Sequence, residues 1–537
     1  MVSSSSVQPG PSASSSTSAP PRPAAGRRTD TDFEVVYRRD PWTPIVLSLD
    51  GGGVRGLSTL FILRKVMERV SELLLQGDTN PVAAALTPGL APAAPNPRAL
   101  LPLPCYFFDF IIGTSTGGLI AVMLGHLRMS IDECIVEYWK LSNYVFRPPR
   151  HIRLYDARKL ETAIKSVVRR YCRCHPDTQR CDGGNELLRQ FDYIEPTQEG
   201  VESCYQNWTC RVGLVSQRKG STKETYLWRS YNHNRRFRVP TNPLELNPRD
   251  LDGSGIKIWE ACRATSAAPF YFSRPKIGHH KHMDGGVGDN NPCNIAYNEA
   301  LYMSMPNRGN PDNTNRGDVA LLLSVGTGKT GAETRFGQHG LGLFTWMRRQ
   351  ITETQTPHEN TQEVARRAHT EYFRFSVPPR AGEGGHAGLS KIKLGECKRE
   401  SIAPWWRSLP LMARLFPPQQ RPDPPGWYGA LRDEAREGRG RGTRGGYKPD
   451  KYRYPTFEDI FERTEEYCHD GLYDREHHPA ATTASAIDRC ATALVEYARL
   501  RHANDPERWK CFVSHPHPDH PMYIDSDLRP RPFNNGV

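Results

Sequence analysis

The sequence predicts an α/β fold in which helices cover a largely parallel sheet. Two segments, residues 45–75 and 106–127, each consist of a short apolar run, a glycine-rich turn and an apolar stretch with helical spacing. The same strand-turn-helix unit therefore occurs twice. A third apolar run, residues 319–325, also ends in glycine and has the composition of a buried strand. Strands and helices that alternate along a chain are typical of layered α/β domains.

The first unit ends its apolar run at Asp50 and continues as Gly-Gly-Gly-Val-Arg-Gly over residues 51–56. From Leu57 to Val70 the apolar residues follow mostly helical spacing, so this glycine-rich loop opens a helix. Successive main-chain N–H groups at a helix start suit the binding of a negatively charged oxygen. The loop is therefore a candidate oxyanion hole.

The same loop fits a second pattern, the G-x-G-x-x-G of dinucleotide-binding sites, through Gly51, Gly53 and Gly56. That pattern requires an acidic residue at the end of a second strand about twenty residues further on. Here the helix instead continues past Glu72 into a proline-rich stretch. A nucleotide site is thus an alternative that the sequence disfavours.

The second unit has Gly-Thr-Ser-Thr-Gly at its turn, residues 113–117, which matches G-x-S-x-G between a strand and a helix. A serine on so sharp a turn projects its hydroxyl above the edge of the sheet. The flanking Gly113 and Gly117 remove Cβ atoms that would clash with the strained backbone. Ser115 is therefore a candidate nucleophile, and the competing interpretation is an ordinary turn.

A carboxylate beside paired glycines occurs at Asp284, in Met-Asp-Gly-Gly-Val-Gly-Asp-Asn-Asn-Pro. The glycines allow this backbone to approach another segment closely, so Asp284 is a candidate general base. In isolation the motif is also typical of a simple Asp-Gly turn. The presence of the other two motifs favours the base.

In this order the three motifs resemble those of the patatin-like phospholipases, a family that includes the calcium-independent phospholipase A2 enzymes. The family patterns D-G-G-G-x-R-G, G-x-S-x-G and D-G-[GA] correspond to residues 50–56, 113–117 and 284–286. Residues 262–269 also resemble the segment that precedes the aspartate in that family. The resemblance extends over residues 41–330.

The resemblance implies a three-layer α/β/α domain with a serine–aspartate dyad that contains no histidine. Ser115 is then the nucleophile and Asp284 its base, because a serine hydroxyl is weakly nucleophilic until a carboxylate accepts its proton. The implied oxyanion hole is the loop of Gly51, Gly52, Gly53, Arg55 and Gly56, with the amides of Gly52, Gly53 and Arg55 as donors.

The implied activity is hydrolysis of fatty acyl esters in phospholipids or other glycerolipids through an acyl-serine intermediate, as part of lipid catabolism. Phospholipase, lysophospholipase and acylglycerol lipase types all fit, with no cofactor and no metal ion. Because residues 331–537 lie outside the motifs, the alternative is a catalytically weak lipid-binding or scaffolding protein on the same fold.

Four further stretches differ in composition from the motif-bearing domain. They are a Ser/Pro-rich leader over residues 1–40, a proline-rich insertion at 78–104, a mostly helical region from 331 to 537, and a Pro/Gly/Arg-rich linker within it near 417–451. The leader lacks the apolar core of a secretory signal. We expect it to be disordered, and its prolines disfavour a mitochondrial presequence.

The net charge of +12 favours contact with anionic membranes or nucleic acid. No apolar run is long enough for a transmembrane helix, since the most apolar stretch, residues 106–125, contains Asp109. Thirteen scattered cysteines fit reduced thiols. Together with the resemblance, these features lead us to expect a cytoplasmic protein that visits membranes peripherally, with a lipid substrate and no nucleic-acid partner.

Three other signals do not support a site on the sequence alone. Residues 325–330 end like a phosphate-binding P-loop, but Leu323 stands where that motif needs glycine. The cysteine-rich stretch 172–210 lacks paired C-x-x-C spacing, so ordinary thiols are favoured over zinc. Residues 402–416 combine aromatic and basic side chains, which suits either a membrane surface or simple packing over the site.

Overall fold

The structure is a computed structural model, and it describes residues 40–76, 101–146, 155–171, 182–188, 209–219, 223–231, 255–269, 271–304, 318–328, 354–378, 388–389, 392, 400–401, 452–453, 455–473 and 481–513. Several predicted segments lie mostly or wholly outside these ranges. They are the leader, the 78–104 insertion, the cysteine-rich 172–210 stretch, the end of the P-loop-like 325–330 run, the 402–416 segment and the 417–451 linker.

Eight strands of the described chain form one mixed sheet. They are β1 (Ile45–Leu49), β2 (Phe110–Thr114), β3 (Arg211–Lys219), β4 (Lys223–Arg229), β5 (Lys276–Ile277), β6 (His280–Asp284), β7 (Leu321–Val325) and β8 (Glu371–Phe375). Their spatial order is β5-β6-β3-β2-β1-β7-β8, and β4 also pairs with β3. Strands β3, β2, β1, β7 and β8 are parallel, whereas β4 and β6 run antiparallel to β3. The predicted, largely parallel sheet is confirmed.

The α-helices lie between and after these strands. In the described chain they are α1 (Gly56–Leu75), α2 (Thr116–Ala121), α3 (Ile131–Val145), α4 (Ala157–Tyr171), α5 (Ile258–Thr265), α6 (Cys293–Ser304), α7 (Gln355–Arg367), α8 (Pro455–Asp470), α9 (Thr483–Asn504) and α10 (Pro506–Val513). A π-helical turn, Val122–His126, continues α2. A second, two-stranded sheet pairs β9 (Glu400–Ser401) with β10 (Tyr452–Arg453).

The central strands are buried over their whole length. Every residue of β1, β2 and β7 is buried, as expected for parallel strands with helices on both faces. Helix α6 packs on the face that carries Val46, Phe110 and Leu322, while α1 contacts β7 and α2 contacts β1 and β2. The layered α/β architecture follows from this two-sided burial.

The second strand lies further along the chain than its apolar run predicts. The sequence favours a strand over residues 106–112, but β2 spans Phe110–Thr114, and Pro104–Tyr106 form a 3-10 turn. The aromatic residues before β2 are buried although they are not in the sheet, for example Phe107 and Phe108. Because turn and strand are equally apolar here, hydropathy alone does not separate them.

The first half of helix α1 is buried on all sides, which explains the apolar character of that part. Its Phe61 makes edge-to-face contacts with Phe457 and Phe461 of α8, with ring centroids 5.6 and 5.2 Å apart. The Thr464 hydroxyl of α8 donates a 2.8 Å hydrogen bond to Ser58, and α9 also packs along α1. The C-terminal helices therefore complete the core around α1. None of the described helices is both long and apolar enough to cross a bilayer.

The sheet continues beyond the predicted end of the motif-bearing domain. Strand β8, residues 371–375, pairs in parallel with β7, although the sequence places the domain boundary at residue 330. The described residues from Pro41 onward form one compact unit. Only Phe373 and Phe375 of β8 are buried, so the strand lacks the continuous apolar run that marks β1 and β7. The predicted boundary therefore does not coincide with the edge of the sheet.

A buried ion pair ties the C-terminal helix α9 to the start of the sheet. Arg501 donates a 2.7 Å hydrogen bond to Asp109, and the same carboxylate oxygen accepts one of 2.8 Å from the amide of Ile45. Arg501 also donates to the main-chain oxygens of Pro41 and Thr43. The guanidinium thus joins the entries to β1 and β2 across 392 positions of sequence.

We expect Arg501→Met to lower the free energy of unfolding by about 3–5 kcal/mol, because it removes the cation that hydrogen-bonds to the buried Asp109 carboxylate. Urea denaturation of the full chain at neutral pH measures the change. The control is Arg499→Met, which removes an exposed guanidinium from the same helix and should change stability by less than about 0.5 kcal/mol. Equal stabilities of the two variants would contradict the structural role of the pair.

Candidate active site

Strand β3 places the carboxyl ends of β2 and β6 next to each other. The first half of β3 pairs with β2 in parallel, up to Thr114 opposite Val215. The second half pairs with β6 in antiparallel orientation, and Asp284 lies opposite Ser216. Because Val215 and Ser216 are consecutive and β4 occupies the other edge of β3, the two strand ends meet. Ser115 follows directly after the first of them.

Ser115 has the strained backbone expected of a nucleophile turn. Its φ of 55° lies in the left-handed region that non-glycine residues rarely adopt. The Ser115 amide donates a 2.8 Å hydrogen bond to the Thr265 hydroxyl, which donates in turn to the Val215 carbonyl at 2.5 Å. The Ser115 carbonyl accepts from the amide of Gly118 at 3.0 Å. Helices α5 and α2 and strand β3 together hold the turn in place.

Both glycines of the turn are sterically required. A Cβ atom on Gly113 would lie 2.2 Å from the carbonyl oxygen of Gly117. One on Gly117 would lie 2.4 Å from the carbonyl oxygen of Leu49, at the end of β1. Contacts this short are not found in real structures, so any side chain at either position would displace the turn that carries Ser115.

The two residues predicted as nucleophile and base lie within hydrogen-bond distance. The Ser115 hydroxyl donates a 2.7 Å hydrogen bond to Oδ2 of Asp284. The other carboxylate oxygen accepts one of 2.7 Å from the amide of Gly286. Neither side chain has a histidine partner within the described ranges. Asp284 is buried whereas Ser115 is only half-buried, so the hydroxyl is the exposed member of the pair.

Burial raises the pKa of Asp284 to about 7, although the hydrogen bonds from Ser115 and the Gly286 amide lower it in part. Desolvation disfavours a carboxylate because its charge loses contact with water. A base with a pKa near neutrality combines a large deprotonated fraction with a strong tendency to accept a proton. The arrangement is thus suited to activating a serine hydroxyl.

The start of the glycine-rich loop is fixed by main-chain contacts. The Gly51 amide donates to the Asn290 carbonyl at 3.0 Å, and the Gly51 carbonyl accepts from the Thr327 hydroxyl at 2.9 Å. The Gly52 amide donates to the Thr116 hydroxyl at 3.2 Å, a long bond. A Cβ on Gly51 would come within 3.0 Å of the Ser115 Cβ. The loop therefore lies directly against the serine turn.

In the rest of the loop, some main-chain amides already donate hydrogen bonds and others do not. The Arg55 amide donates to the Gly52 carbonyl at 3.1 Å, and the Gly56 amide bonds back to the carbonyls of Gly53 and Val54. The Gly53 amide has no hydrogen-bond partner among the described residues, and Gly53 has a left-handed φ of 54°. Of the predicted donors, Gly53 thus has an uncommitted N–H and Gly52 a weakly committed one.

The loop is anchored from outside the recognised motifs. Asp50, which is 1% exposed, forms a two-pronged ion pair with Arg374 of β8, with N–O distances of 2.8 and 2.5 Å. Arg374 also donates to the Ser324 hydroxyl at the end of β7. The Arg55 guanidinium donates to the main-chain oxygen of Ile392. Residues beyond 330 therefore hold the glycine-rich loop at its start and near its end.

Sequence reasoning missed the residues that support the site. Thr265 and Asn290 lie within stretches that the sequence singles out, yet nothing in their local pattern indicates contact with Ser115 or Gly51. No sequence pattern indicates a role for Arg374, because it lies 324 positions from Asp50 in a strand without a motif. Only a contact map of the folded chain would have identified it.

The match to a known protein family covers the part of the chain that contains the three motifs. Residues 47–297 match the Patatin family, described as patatin-like phospholipase. Calcium-independent phospholipase A2-gamma of Homo sapiens is 26% identical over 333 residues, which are 59% of this chain and 32% of that protein. Phospholipase A I of Arabidopsis thaliana is 24% identical over 54% of this chain and 21% of its own length. Patatin-like phospholipase 1 of Plasmodium falciparum is 24% identical over 63% and 45%. The chain thus spans less than half the length of these relatives.

We expect Arg374→Met to cost about 3–5 kcal/mol of unfolding free energy, because Asp50 would remain buried as an uncompensated carboxylate. Asp50→Asn should also destabilise, since it leaves the guanidinium unpaired. The double variant should lose at least about 1 kcal/mol less than the sum of the two single losses, because it contains no unpaired charge. Urea unfolding of the four proteins measures this coupling, and strictly additive losses would contradict it.

Proposed function

We propose that this chain, whose residues 47–297 match the patatin-like phospholipase family, hydrolyses fatty acyl esters of phospholipids or other glycerolipids. Ser115 is the proposed nucleophile and Asp284 the proposed base. The observation that carries the proposal is the 2.7 Å hydrogen bond from the half-exposed hydroxyl to a buried carboxylate. The names of the relatives, several of them calcium-independent phospholipases A2, support the substrate class.

In the proposed first step, the Ser115 oxygen attacks the ester carbonyl while its proton passes to Oδ2 of Asp284. The carboxyl group then protonates the departing alcohol, which leaves an acyl-serine. In the second step the same carboxylate accepts a proton from water as the water attacks the acyl group, and it returns a proton to the Ser115 oxygen as the fatty acid is released. One carboxylate thus acts alternately as base and acid, as its pKa of about 7 permits.

The charge that develops on the carbonyl oxygen requires donors that are free at that moment. We infer that the Gly53 amide is the main donor and that Gly52 assists by exchanging its long bond to Thr116. Each well-placed donor contributes about 2.7–4 kcal/mol of transition-state stabilisation in other hydrolases. The engaged amides of Gly51, Arg55 and Gly56 support the shape of the loop.

Ser115→Ala and Asp284→Asn should each reduce kcat by at least roughly 10⁴-fold, and the double variant should be no worse, because the two groups act as one unit. Fatty acid released from phospholipid, lysophospholipid and acylglycerol dispersions is measured by mass spectrometry. The control, Ser485→Ala, removes an exposed hydroxyl on α9 and should retain full activity. Equal turnover by Ser115→Ala and the parent would exclude the mechanism. A parent that binds lipid without any turnover would favour the scaffolding alternative.

The rate should depend on pH through the base. Below pH 7 the Asp284 carboxyl is increasingly protonated and unable to accept the serine proton, so kcat/KM should fall about tenfold per pH unit well below pH 7. Above about pH 8 the profile should be flat. A soluble short-chain ester is the substrate of choice, because its concentration does not depend on binding to an interface. A profile that stays flat down to pH 5 would contradict a raised pKa at this base.

A further inference from the structure

A basic hairpin projects from the sheet at the edge where Ser115 lies. Strands β5 and β6 form it, with Gly278 and His279 at its turn. Strand β6 pairs with the part of β3 that extends beyond the end of β2. At about 3.3 Å per residue, the first residue of β6 lies about 13 Å from Asp284 at its other end. The hairpin turn therefore lies past the proposed dyad, at the same edge of the sheet.

The hairpin is rich in exposed cations. Arg274, Lys276 and Lys281 are exposed, and within the described ranges none of them has an acidic partner. No aspartate or glutamate occurs between residues 270 and 283. Lys276 and Lys281 lie directly opposite each other in the strand register. Like charges in that position destabilise a hairpin, so the fold maintains a local concentration of positive charge at a cost.

A stacked pair of half-buried tyrosines includes one that lies close in the chain to the start of the hairpin. Tyr271 stacks on Tyr155 at a centroid distance of 5.9 Å, and both rings are half-buried. Tyrosines combine an apolar ring with a polar tip, which suits the boundary between lipid headgroups and acyl chains.

The surface is coupled to the proposed site by short structural links. The hairpin strand β6 ends at Asp284 itself. At the hairpin base, Arg263 of α5 donates a 3.0 Å hydrogen bond to the Ser273 carbonyl, and the same helix carries Thr265, which holds the Ser115 amide. Any surface that contacts the hairpin turn thus lies about 13 Å from Asp284.

We propose that Arg274, Lys276, Lys281 and the adjoining tyrosines, here called the hairpin surface, dock on the anionic headgroups of a phospholipid bilayer. The role of docking in substrate supply rests on the proposed function, but the binding itself does not. A bilayer fits better than nucleic acid because the cations adjoin half-buried tyrosines and a site that contains a serine–carboxylate pair suited to esters. Docking would place the ester bonds of interfacial lipids beside Ser115.

The test compares two charge-matched triple variants, both in the Ser115→Ala background so that the lipid is not consumed. One is Arg274→Gln/Lys276→Gln/Lys281→Gln. The control is Arg366→Gln/Arg367→Gln/Lys510→Gln, which removes three exposed cations from α7 and α10. Binding is measured by cosedimentation with vesicles of phosphatidylcholine alone and of phosphatidylcholine mixed with phosphatidylserine, at low and physiological salt.

We expect the hairpin variant to bind phosphatidylserine vesicles roughly 100-fold more weakly than the parent, since each cation near an anionic surface contributes about a fivefold gain. The control should lose much less, and the parent should release from the vesicles as salt rises. Lys276→Arg/Lys281→Arg should bind like the parent. Equal losses in hairpin variant and control would overturn the proposal. The proposal would also be overturned if the parent bound single-stranded RNA more tightly than the vesicles and the hairpin variant lost that binding. The surface would then be assigned to nucleic acid.

Hydrolysis separates the docking proposal from the proposed function. With Ser115 present, the hairpin variant should keep the parent's kcat/KM on a soluble short-chain ester, which also reports correct folding, and lose most of its turnover on phosphatidylserine-containing vesicles. A parent inactive on every ester would refute the proposed function, while the vesicle-binding comparison would still decide the docking proposal. Undiminished turnover of the hairpin variant on the vesicles would overturn docking alone.

Discussion

The pairing of β3 with two strands of opposite direction is the constraint on which the candidate site depends. It sets the end of β2 at Val215 and the end of β6 at Ser216, so the residues that follow or end those strands are neighbours. The hydrogen bond between Ser115 and Asp284 then needs no long side chain and no mobile loop. A slip of one residue in either ladder would turn the corresponding side chain to the opposite face of the sheet.

The site combines two features that cost stability. Ser115 adopts a left-handed backbone conformation, and Asp284 is a buried carboxyl group that accepts hydrogen bonds from the neutral Ser115 hydroxyl and Gly286 amide. Such features persist only where the surroundings hold them, and here Thr265, Gly286 and the turn glycines do so. Their coincidence at one point of the molecule is the physical reason for regarding that point as functional.

The described residues after position 330 are part of the same folded unit as the motif-bearing domain. Arg374 neutralises Asp50 at the start of the glycine-rich loop, and Arg501 neutralises Asp109 at the start of β2. Both carboxylates lie in the part that matches the family, and both cations lie beyond it. The C-terminal region therefore supplies the counterions that make two buried carboxylates tolerable, besides the helices that cover α1.

The sequence by itself determined the strands β1 and β7, the helix α1 and the identity of Ser115 and Asp284 as candidates, because apolar runs and glycine-rich turns are local signals. The sequence pattern placed the second strand at residues 106–112, whereas β2 spans 110–114. It gave no indication of β8 and assigned no role to Arg374, Thr265 or Asn290. The tertiary structure decided which amides of the loop are engaged and that two groups 169 positions apart form one hydrogen bond. Such pairings arise from strand register and from burial of charge, and neither is encoded within any short stretch of chain.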